Sequence, residues 1–250
     1  MTTKPDTDAP PSELQERMNK YLPYLRDLQR KLYQVLTVFA AGGILGFIYY
    51  QKILVFVMNL FNLEGINIVM TSPYQFFSLA VNTGLFLGFT LAVPLLIYHL
   101  LTFLKPALEV REYALIMRLL PTSILLFFLG FAFGIWIVQF VISLYTKTTL
   151  EFAISNLWDI SGFFGQILLT GFLLSLVFQL PVAMTVLMRF NLVKRRVFIK
   201  NRRFFYAALL ILGALLPPTD IVSLILLTIP PLFLFELALL LNKHTIRSEE

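Results

Sequence analysis

The sequence predicts an all-α, polytopic membrane protein with six transmembrane helices and with both termini in the cytosol. Of its 250 residues, 58% are hydrophobic and only 14% are charged, and the mean hydropathy is +0.80. Soluble domains contain about 45–50% apolar and about 25% charged residues, so a water-soluble fold is excluded. The third observation is a series of six apolar stretches, each bounded by polar residues. The 250 residues are therefore predicted to form one membrane domain and not several soluble domains.

Residues 1–31 are predicted to form a cytosolic tail. They are polar and contain no apolar core of the kind that a cleavable signal peptide needs. Ser12 and Gln15 have the spacing of a capping box. Apolar residues then recur every three or four residues, at Leu14, Met18, Leu22, Leu25, Leu28 and Leu32. This pattern predicts an amphipathic helix that lies on the membrane and is bent or broken near Pro23.

Residues 32–241 are predicted to form the membrane domain, followed by a cytosolic tail at 242–250. Its six spans are Leu32–Tyr50, Phe76–Leu104, Leu119–Leu144, Phe163–Met188, Phe204–Leu216 and Ile221–Leu241. We expect the last two to be short. At 1.5 Å per residue the fifth reaches only about 20 Å, whereas the hydrocarbon core is about 30 Å thick. We therefore expect a thinned, recessed region of the membrane between Leu215 and Val222.

The basic residues predict the orientation. Eighteen of the 20 Lys and Arg residues lie in the two tails and in the connections 105–118 and 189–203. Cytosolic segments carry the excess of positive charge, so these segments are assigned to the cytosol. The 51–75 and 145–162 connections then face the opposite compartment, and the first is apolar enough to form an interfacial cap.

The composition also excludes several classes of function. Without cysteine there are no disulfides, thiol nucleophiles or thiolate metal sites. Two histidines and no Gly-rich phosphate loop leave no metal site, no cofactor and no soluble-type enzyme chemistry. The net charge of +6 is distributed between apolar spans, so we expect a membrane surface and not nucleic acid as its partner.

Small residues and prolines interrupt the spans. Gly-x-x-x-Gly pairs begin at Gly42, Gly84 and Gly130, one in each of the first three spans. Such pairs allow helices to approach closely, either in a dimer or within one chain, and the second alternative is favoured. Pro94 and Pro181 are each expected to kink a span.

Few polar side chains lie inside the predicted spans. Glu236 is near enough to a span end to snorkel towards the cytosol, and Asp220 precedes the sixth span. The Gln179 amide requires a hydrogen-bond partner, either in another span of this chain or in a separate helix. His99 is expected to be a hydrogen-bonded structural residue.

Carboxylates also stand out on the basic cytosolic side. Asp27 lies in the N-terminal helix, and Glu109 and Glu112 lie in the next cytosolic connection. They are either solvated partners of nearby Lys and Arg or a docking site for paired guanidinium groups, which carboxylates bind bidentately.

Several motifs occur in an order and spacing that match one known family. They are Tyr24-Leu-Arg-Asp-Leu-Gln-Arg-Lys31, Thr71-Ser-Pro-Tyr-Gln-Phe-Phe77, Pro94, Tyr98, Phe103-Leu-Lys-Pro-Ala-Leu108, Glu112, Phe178-Gln-Leu-Pro181, Leu216-Pro-Pro-Thr-Asp220 and Phe235-Glu236. Over about residues 24–241 the sequence resembles the TatC family, the multispanning receptor component of the twin-arginine protein translocase. Tyr24, Gln29, Gln179 and Thr219 depart from the usual family pattern.

The resemblance implies a non-enzymatic receptor for twin-arginine signal peptides of folded precursor proteins. It implies single-span partners of the TatA and TatB type, use of the proton-motive force, and a homo-oligomer within a larger complex. It also implies a location in a cell membrane of the plasma, inner or thylakoid type. The implied signal-peptide site consists of Asp27 and Glu112, which pair with the arginines, and of Leu28, Phe103 and Pro106 around them. The implied partner-helix site consists of Phe178, Gln179 and Pro181.

Two other classes remain open from the residues alone. A small-solute secondary transporter would show a water-filled cavity at the midplane with converging polar groups. A purely structural membrane scaffold would bind no signal peptide. Few buried carboxylates and no convincing internal repeat make the transporter the weaker interpretation.

Overall fold

A computed structural model describes residues 13–60, 66–103, 110–151, 156–190, 192–217 and 219–243. The described residues form nine helices and two short strands. The helices are α1 Glu13–Ile48, α2 Tyr50–Leu60, α3 Gln75–Phe103, α4 Val110–Glu151, α5 Ile160–Val177, α6 Leu180–Arg189, α7 Arg195–Lys200, α8 Arg202–Leu215 and α9 Ile221–Leu241. The strands are β1 Ile66–Val69 and β2 Asn156–Asp159.

Five segments of these helices are long and apolar enough to cross a membrane, which confirms a multi-pass membrane protein. They are Arg26–Ile48, Gln75–Thr102, Met117–Thr148, Ile160–Arg189 and Ile221–Leu241. The α8 helix, which corresponds to the predicted fifth span, has 14 residues and reaches about 21 Å, so that span and the total of six stay predictions. The expectation that the last span is also short is wrong. With 21 residues α9 reaches about 31 Å, the thickness of the hydrocarbon core.

The prolines have different effects. The α1 helix runs through Pro23 without interruption and joins the predicted tail helix to the first span. Of the two predicted alternatives at Pro23, the break is therefore wrong and the bend stays a prediction. Pro94 likewise lies inside the continuous α3. Before Pro181 the helix is interrupted for two residues, because α5 ends at Val177 and α6 begins at Leu180. Proline fits there, since the first helical turn does not use its missing N–H.

A two-stranded parallel sheet links the connection before α3 to the connection before α5. Strand β1 pairs with β2 in a register that places Ile66 opposite Asn156 and Val69 opposite Asp159. Neither strand was predicted from the sequence. Each strand has only four residues, and the two are about 90 positions apart, so neither has a recognisable pattern of its own.

The Gly-x-x-x-Gly pairs pack spans of the same chain against each other. A Cβ atom at Gly46 of α1 would lie 2.8 Å from the Cα of Gly84 in α3. A Cβ atom at Gly134 of α4 would lie 2.6 Å from the Cα of Gly171 in α5. These contacts need the small residues, so packing within the chain, the favoured alternative, accounts for them.

The core lies where α4, α5 and α9 meet, and large apolar side chains cover the outside. Ile137, Leu174 and Leu227 are almost completely buried and belong to one cluster. In contrast, Leu215 is 76% exposed and Ile221 is 77% exposed. Continuous apolar exposure on this scale is typical of a surface that contacts lipid and not water.

Candidate functional site

The predicted signal-peptide site begins on α1. The Asp27 side chain is 53% exposed. Its Oδ2 forms an ion pair with Nζ of Lys31, one helical turn away, at 2.7 Å. Leu28, next to it, is 47% exposed. The structure thus presents an accessible carboxylate and an apolar side chain side by side at the start of the first span.

The other members of this predicted site fall at the edge of the described structure. Phe103 is the last residue of α3, and Glu112 is the third residue of α4. Their side chains and the whole of Pro106 lie outside the described part of the chain. The site therefore stays a prediction as a set, with Asp27 and Leu28 described in full.

A groove of about 710 Å³ runs along α1 and α3 on the same end of the protein. Its lining comprises Arg26, Gln29, Arg30, Tyr33, Gln34, Thr37, Val38, Leu95 and His99. Arg26 and Arg30 are exposed. Within the described residues, neither guanidinium group has an ion pair or a hydrogen bond. The groove is therefore basic at one end and apolar at the other.

His99 corrects a prediction. Both of its ring nitrogens are shielded from solvent, and neither has a hydrogen-bond partner in the described part of the chain. Within the described residues, the prediction that His99 is hydrogen-bonded is therefore wrong. The apolar side chains of Val38 and Leu95, which line the same groove, offer no acceptor.

Gln179 forms its hydrogen bonds within the chain. Its Oε1 accepts from Ser123 Oγ of α4 at 2.5 Å, and its Nε2 donates to the Ser123 carbonyl oxygen at 3.1 Å. Of the two alternatives left open by the sequence, the partner in another span of this chain is the one that the structure contains. A hydrogen bond of this kind between helices contributes about 0.6 kcal/mol on average.

The neighbours of Gln179 are also packed inside. Phe178 is 8% exposed and joins the cluster of Ile137 and Leu174, and Pro181 is buried. A separate helix that used the Gln179 amide would have to replace Ser123. Docking of a partner at these three positions stays a prediction.

Glu236 in α9 is held by two side chains of α8. Its Oε2 lies 3.2 Å from Arg202 Nη2, and its Oε1 accepts a hydrogen bond from the Tyr206 hydroxyl. The Glu236 side chain is 32% exposed. The carboxylate therefore connects α8 to α9, a role that was not predicted from the sequence.

Asp220 is the N-cap of α9. Its Oδ2 accepts from the Ser223 backbone amide at 2.9 Å and its Oδ1 from the Ser223 hydroxyl at 2.5 Å. Partial burial alone would raise the pKa of Asp220, but the hydrogen bonds from Ser223 and from Tyr145 outweigh it and lower the pKa. The carboxylate thus stabilises the helix start, which is a structural role.

A polar cluster that was not predicted from the sequence lies at the other end of the molecule. Asp159 caps α5 by accepting from the Gly162 amide at 2.7 Å. Its second oxygen accepts from Thr71 Oγ1 at 2.8 Å and from the Gln75 amide at the start of α3. These bonds, led by the one from Gly162, lower the pKa of Asp159. Asp159 followed by Ile-Ser-Gly is an N-cap pattern, the one signal that could have found it.

The second groove, of about 410 Å³, lies between α3 and α5. Its lining is apolar apart from Asn82 and includes Phe86, Phe89, Leu169 and Phe172. Within the described residues, no group of three or more His, Cys, Asp or Glu side chains could hold a metal ion.

Comparison with known proteins identifies relatives of this chain. A family model described as "Sec-independent protein translocase protein (TatC)" matches residues 23–230. The Sec-independent protein translocase protein TatCy of Bacillus subtilis (strain 168) is 28% identical over 240 residues, which cover 92% of this chain and 91% of the relative. The TatC protein of Haemophilus influenzae is 30% identical over 181 residues, which cover 72% of this chain and 70% of the relative.

The fold also resembles a solved structure. The crystal structure described as "Twin Arginine Translocase Receptor- TatC" matches with a TM-score of 0.74 at 25% sequence identity. The match covers 89% of this chain and 99% of that chain. Fold and sequence therefore agree over nearly the full length of both proteins.

Proposed function

The chain belongs to the TatC family of Sec-independent protein translocase proteins, and from this premise we propose that it is the receptor that binds twin-arginine signal peptides. The peptides belong to folded precursor proteins, which the complex exports with the energy of the proton-motive force. The observation that carries the proposal is the exposed Asp27 carboxylate at the start of the first span.

The geometry at Asp27 suits a guanidinium ligand. Its present partner is one lysine, and an exposed pair of this kind contributes only about 0–1 kcal/mol. An arginine can bind both carboxylate oxygens at once, so a signal-peptide arginine can displace Lys31. Leu28 supplies an exposed apolar surface next to the pair. Glu112 is proposed as the acid for the second arginine, with Phe103 and Pro106 beside it.

The orientation is part of the proposal. Asp27 and the connection before Glu112 lie in segments rich in Lys and Arg, which supports placing them in the cytosol where precursors are made. Reporter fusions after Lys147 and after Arg196 should report opposite compartments. The same compartment for both would contradict the topology.

We propose single-span proteins of the TatA and TatB type as partners, together with further copies of this chain. Phe178, Gln179 and Pro181 are the proposed contact for a partner helix, which would have to replace Ser123 at the Gln179 amide. A cysteine at position 179 in this cysteine-free chain should crosslink to such a helix. Labelling of that cysteine from the lipid phase instead would contradict the contact.

A small-solute transporter is disfavoured by the polar groups in the spans. The hydroxyls of Thr83 and Ser175 donate to carbonyls of their own helices, and Thr170 donates to the Pro217 carbonyl. In the part of the chain that the structure describes, these groups do not converge on a midplane cavity, which transport of a polar solute requires.

The experiment is photocrosslinking of a twin-arginine peptide to the full chain in membranes. Asp27→Ala, Glu112→Ala and the double variant should each weaken binding by about tenfold or more, because a charge-assisted hydrogen bond contributes about 1.5–3 kcal/mol. Asp27→Glu keeps a carboxylate and should retain most of the binding, and a twin-lysine peptide should bind weakly. Undiminished crosslinking to the double variant would refute the assignment.

A further inference from the structure

The groove between α1 and α3 has a charge that the proposed receptor function does not use. Arg26 and Arg30 lie one turn apart on α1 and face into the groove, exposed and without an ion pair among the described residues. Asp27, in contrast, is paired with Lys31 outside the groove lining. The charge of the groove therefore favours an anionic ligand and disfavours the arginines of a signal peptide.

The depth of the groove matches the membrane interface. The first candidate span begins at Arg26, so both guanidinium groups lie within its first two turns. Val38 lies eight residues beyond Arg30, about 12 Å further along the helix axis, and Leu95 faces it from α3. One end of the groove is thus at the level of lipid headgroups, and the other end is in the hydrocarbon.

The lining between these ends is polar. Gln29, Tyr33 and Gln34 carry side-chain donors, and none of them has a hydrogen bond from its side chain in the described part of the chain. The His99 ring forms part of the wall, and its two nitrogens lack a partner there as well. Phosphate and ester oxygens can accept hydrogen bonds from these donors, and from the one protonated nitrogen of a neutral His99 ring after the ring rotates.

We propose that the groove binds the headgroup and one acyl chain of an anionic phospholipid of the cytosolic leaflet. The phosphate pairs with Arg26 and Arg30, and the acyl chain lies along Val38 and Leu95. Basic pockets between helices on the cytosolic side are suited to such headgroups, because that leaflet carries the anionic lipids. The bound lipid would fill the space between α1 and α3 beside Asp27. The inference rests on membrane insertion and orientation, and it is independent of signal-peptide binding.

The test uses the full chain in nanodiscs that contain phosphatidylglycerol and phosphatidylcholine. One lipid at a time carries a diazirine on its acyl chain, and mass spectrometry quantifies lipid adducts on α1 and α3. We expect adducts of phosphatidylglycerol to exceed those of phosphatidylcholine after correction for the lipid ratio. The preference should fall by about fivefold for each arginine removed, the fold-change that corresponds to about 1 kcal/mol per charge.

Three variants make the result specific. Arg26→Gln/Arg30→Gln should lose the preference, while Arg26→Lys/Arg30→Lys should keep most of it because the charge remains. Arg196→Gln/Arg203→Gln removes two exposed charges elsewhere and should leave the adducts unchanged. An equal loss in this control would show a general charge effect and would overturn the site.

Two further outcomes would also overturn the proposal. Equal labelling by both lipids in the unaltered chain would mean that the groove does not select an anionic headgroup. Complete loss of phosphatidylglycerol adducts on addition of inorganic phosphate would assign the groove to a soluble anion. Crosslinking of a twin-arginine peptide, measured in parallel, reports on the receptor function separately.

Discussion

Replacement of Gly134 by alanine tests whether the third glycine pair serves packing within the chain. The new Cβ atom would lie 2.6 Å from Gly171 Cα and 3.1 Å from the Thr170 carbonyl oxygen. Non-bonded carbon atoms pack at about 3.5–4.0 Å, so α4 and α5 would have to separate by about 1 Å. Backbone atoms cannot rotate away as a flexible side chain can.

The magnitude follows from two opposing effects. Overpacking of a tight interface costs about 1–3 kcal/mol. Alanine in place of glycine in a helix is favourable by about 0.8–1.0 kcal/mol. Gly165→Ala in α5 is the matched control, since its Cβ would meet only the Asn82 amide nitrogen at 3.8 Å. The helix preference cancels between the two variants, and Gly134→Ala should therefore be less stable than Gly165→Ala by about 1–3 kcal/mol.

Unfolding in mixed micelles with increasing dodecyl sulfate measures this difference, with Trp136 and Trp158 as intrinsic fluorescent probes. Equal free energies of unfolding for the two variants would refute the packing argument. A variant Gly134→Ala that unfolds normally but loses self-association would instead assign the glycines to a dimer interface.

Three further predictions follow from the polar contacts. A double-mutant cycle with Gln179→Leu and Ser123→Ala should give a coupling free energy of about 0.6 kcal/mol and at most about 1.7 kcal/mol, and additive effects would contradict the hydrogen bonds. Asp220→Ala should lower the free energy of unfolding by about 1 kcal/mol while Asp220→Asn, which can still cap, loses less; equal losses would argue against the cap. The pKa of Asp159 is lowered in the folded chain, so its contribution to stability is complete above the unfolded pKa of about 4 and is lost as the pH falls through the folded value. The protection of the Gly162 amide against hydrogen exchange, taken relative to the intrinsic exchange rate at each pH, should therefore fall on acidification, and Asp159→Ala should abolish that pH dependence.

The receptor proposal and the lipid proposal concern two faces of the same helix. Asp27 presents a carboxylate, whereas Arg26 and Arg30 present cations to the neighbouring groove. Two ligands of opposite charge can therefore approach one helix end without competing for the same side chains.

Local properties of single segments were determined by the sequence. The apolar runs predicted α3, the apolar centre of α4, and α9, because membrane insertion depends on the hydropathy of about 20 consecutive residues. The same reasoning gave Ile221–Leu241 with its observed bounds. The predicted break at Pro23 was wrong, because proline removes only one hydrogen bond from a helix of 36 residues. Motif order along the chain was sufficient to indicate the family.

Contacts between distant segments were decided only by the tertiary structure. Gln179 and Ser123 are 56 residues apart, and Asp159 and Thr71 are 88 residues apart. Their spacing in the sequence carries no sign of the contact, because it depends on which helices become neighbours. The glycines of α1 and α4 likewise depend on which helix backbone lies opposite them. Strands β1 and β2 can pair only when α3 and α5 lie side by side. Hydropathy fixes which segments enter the membrane, and packing between those segments fixes which polar groups meet.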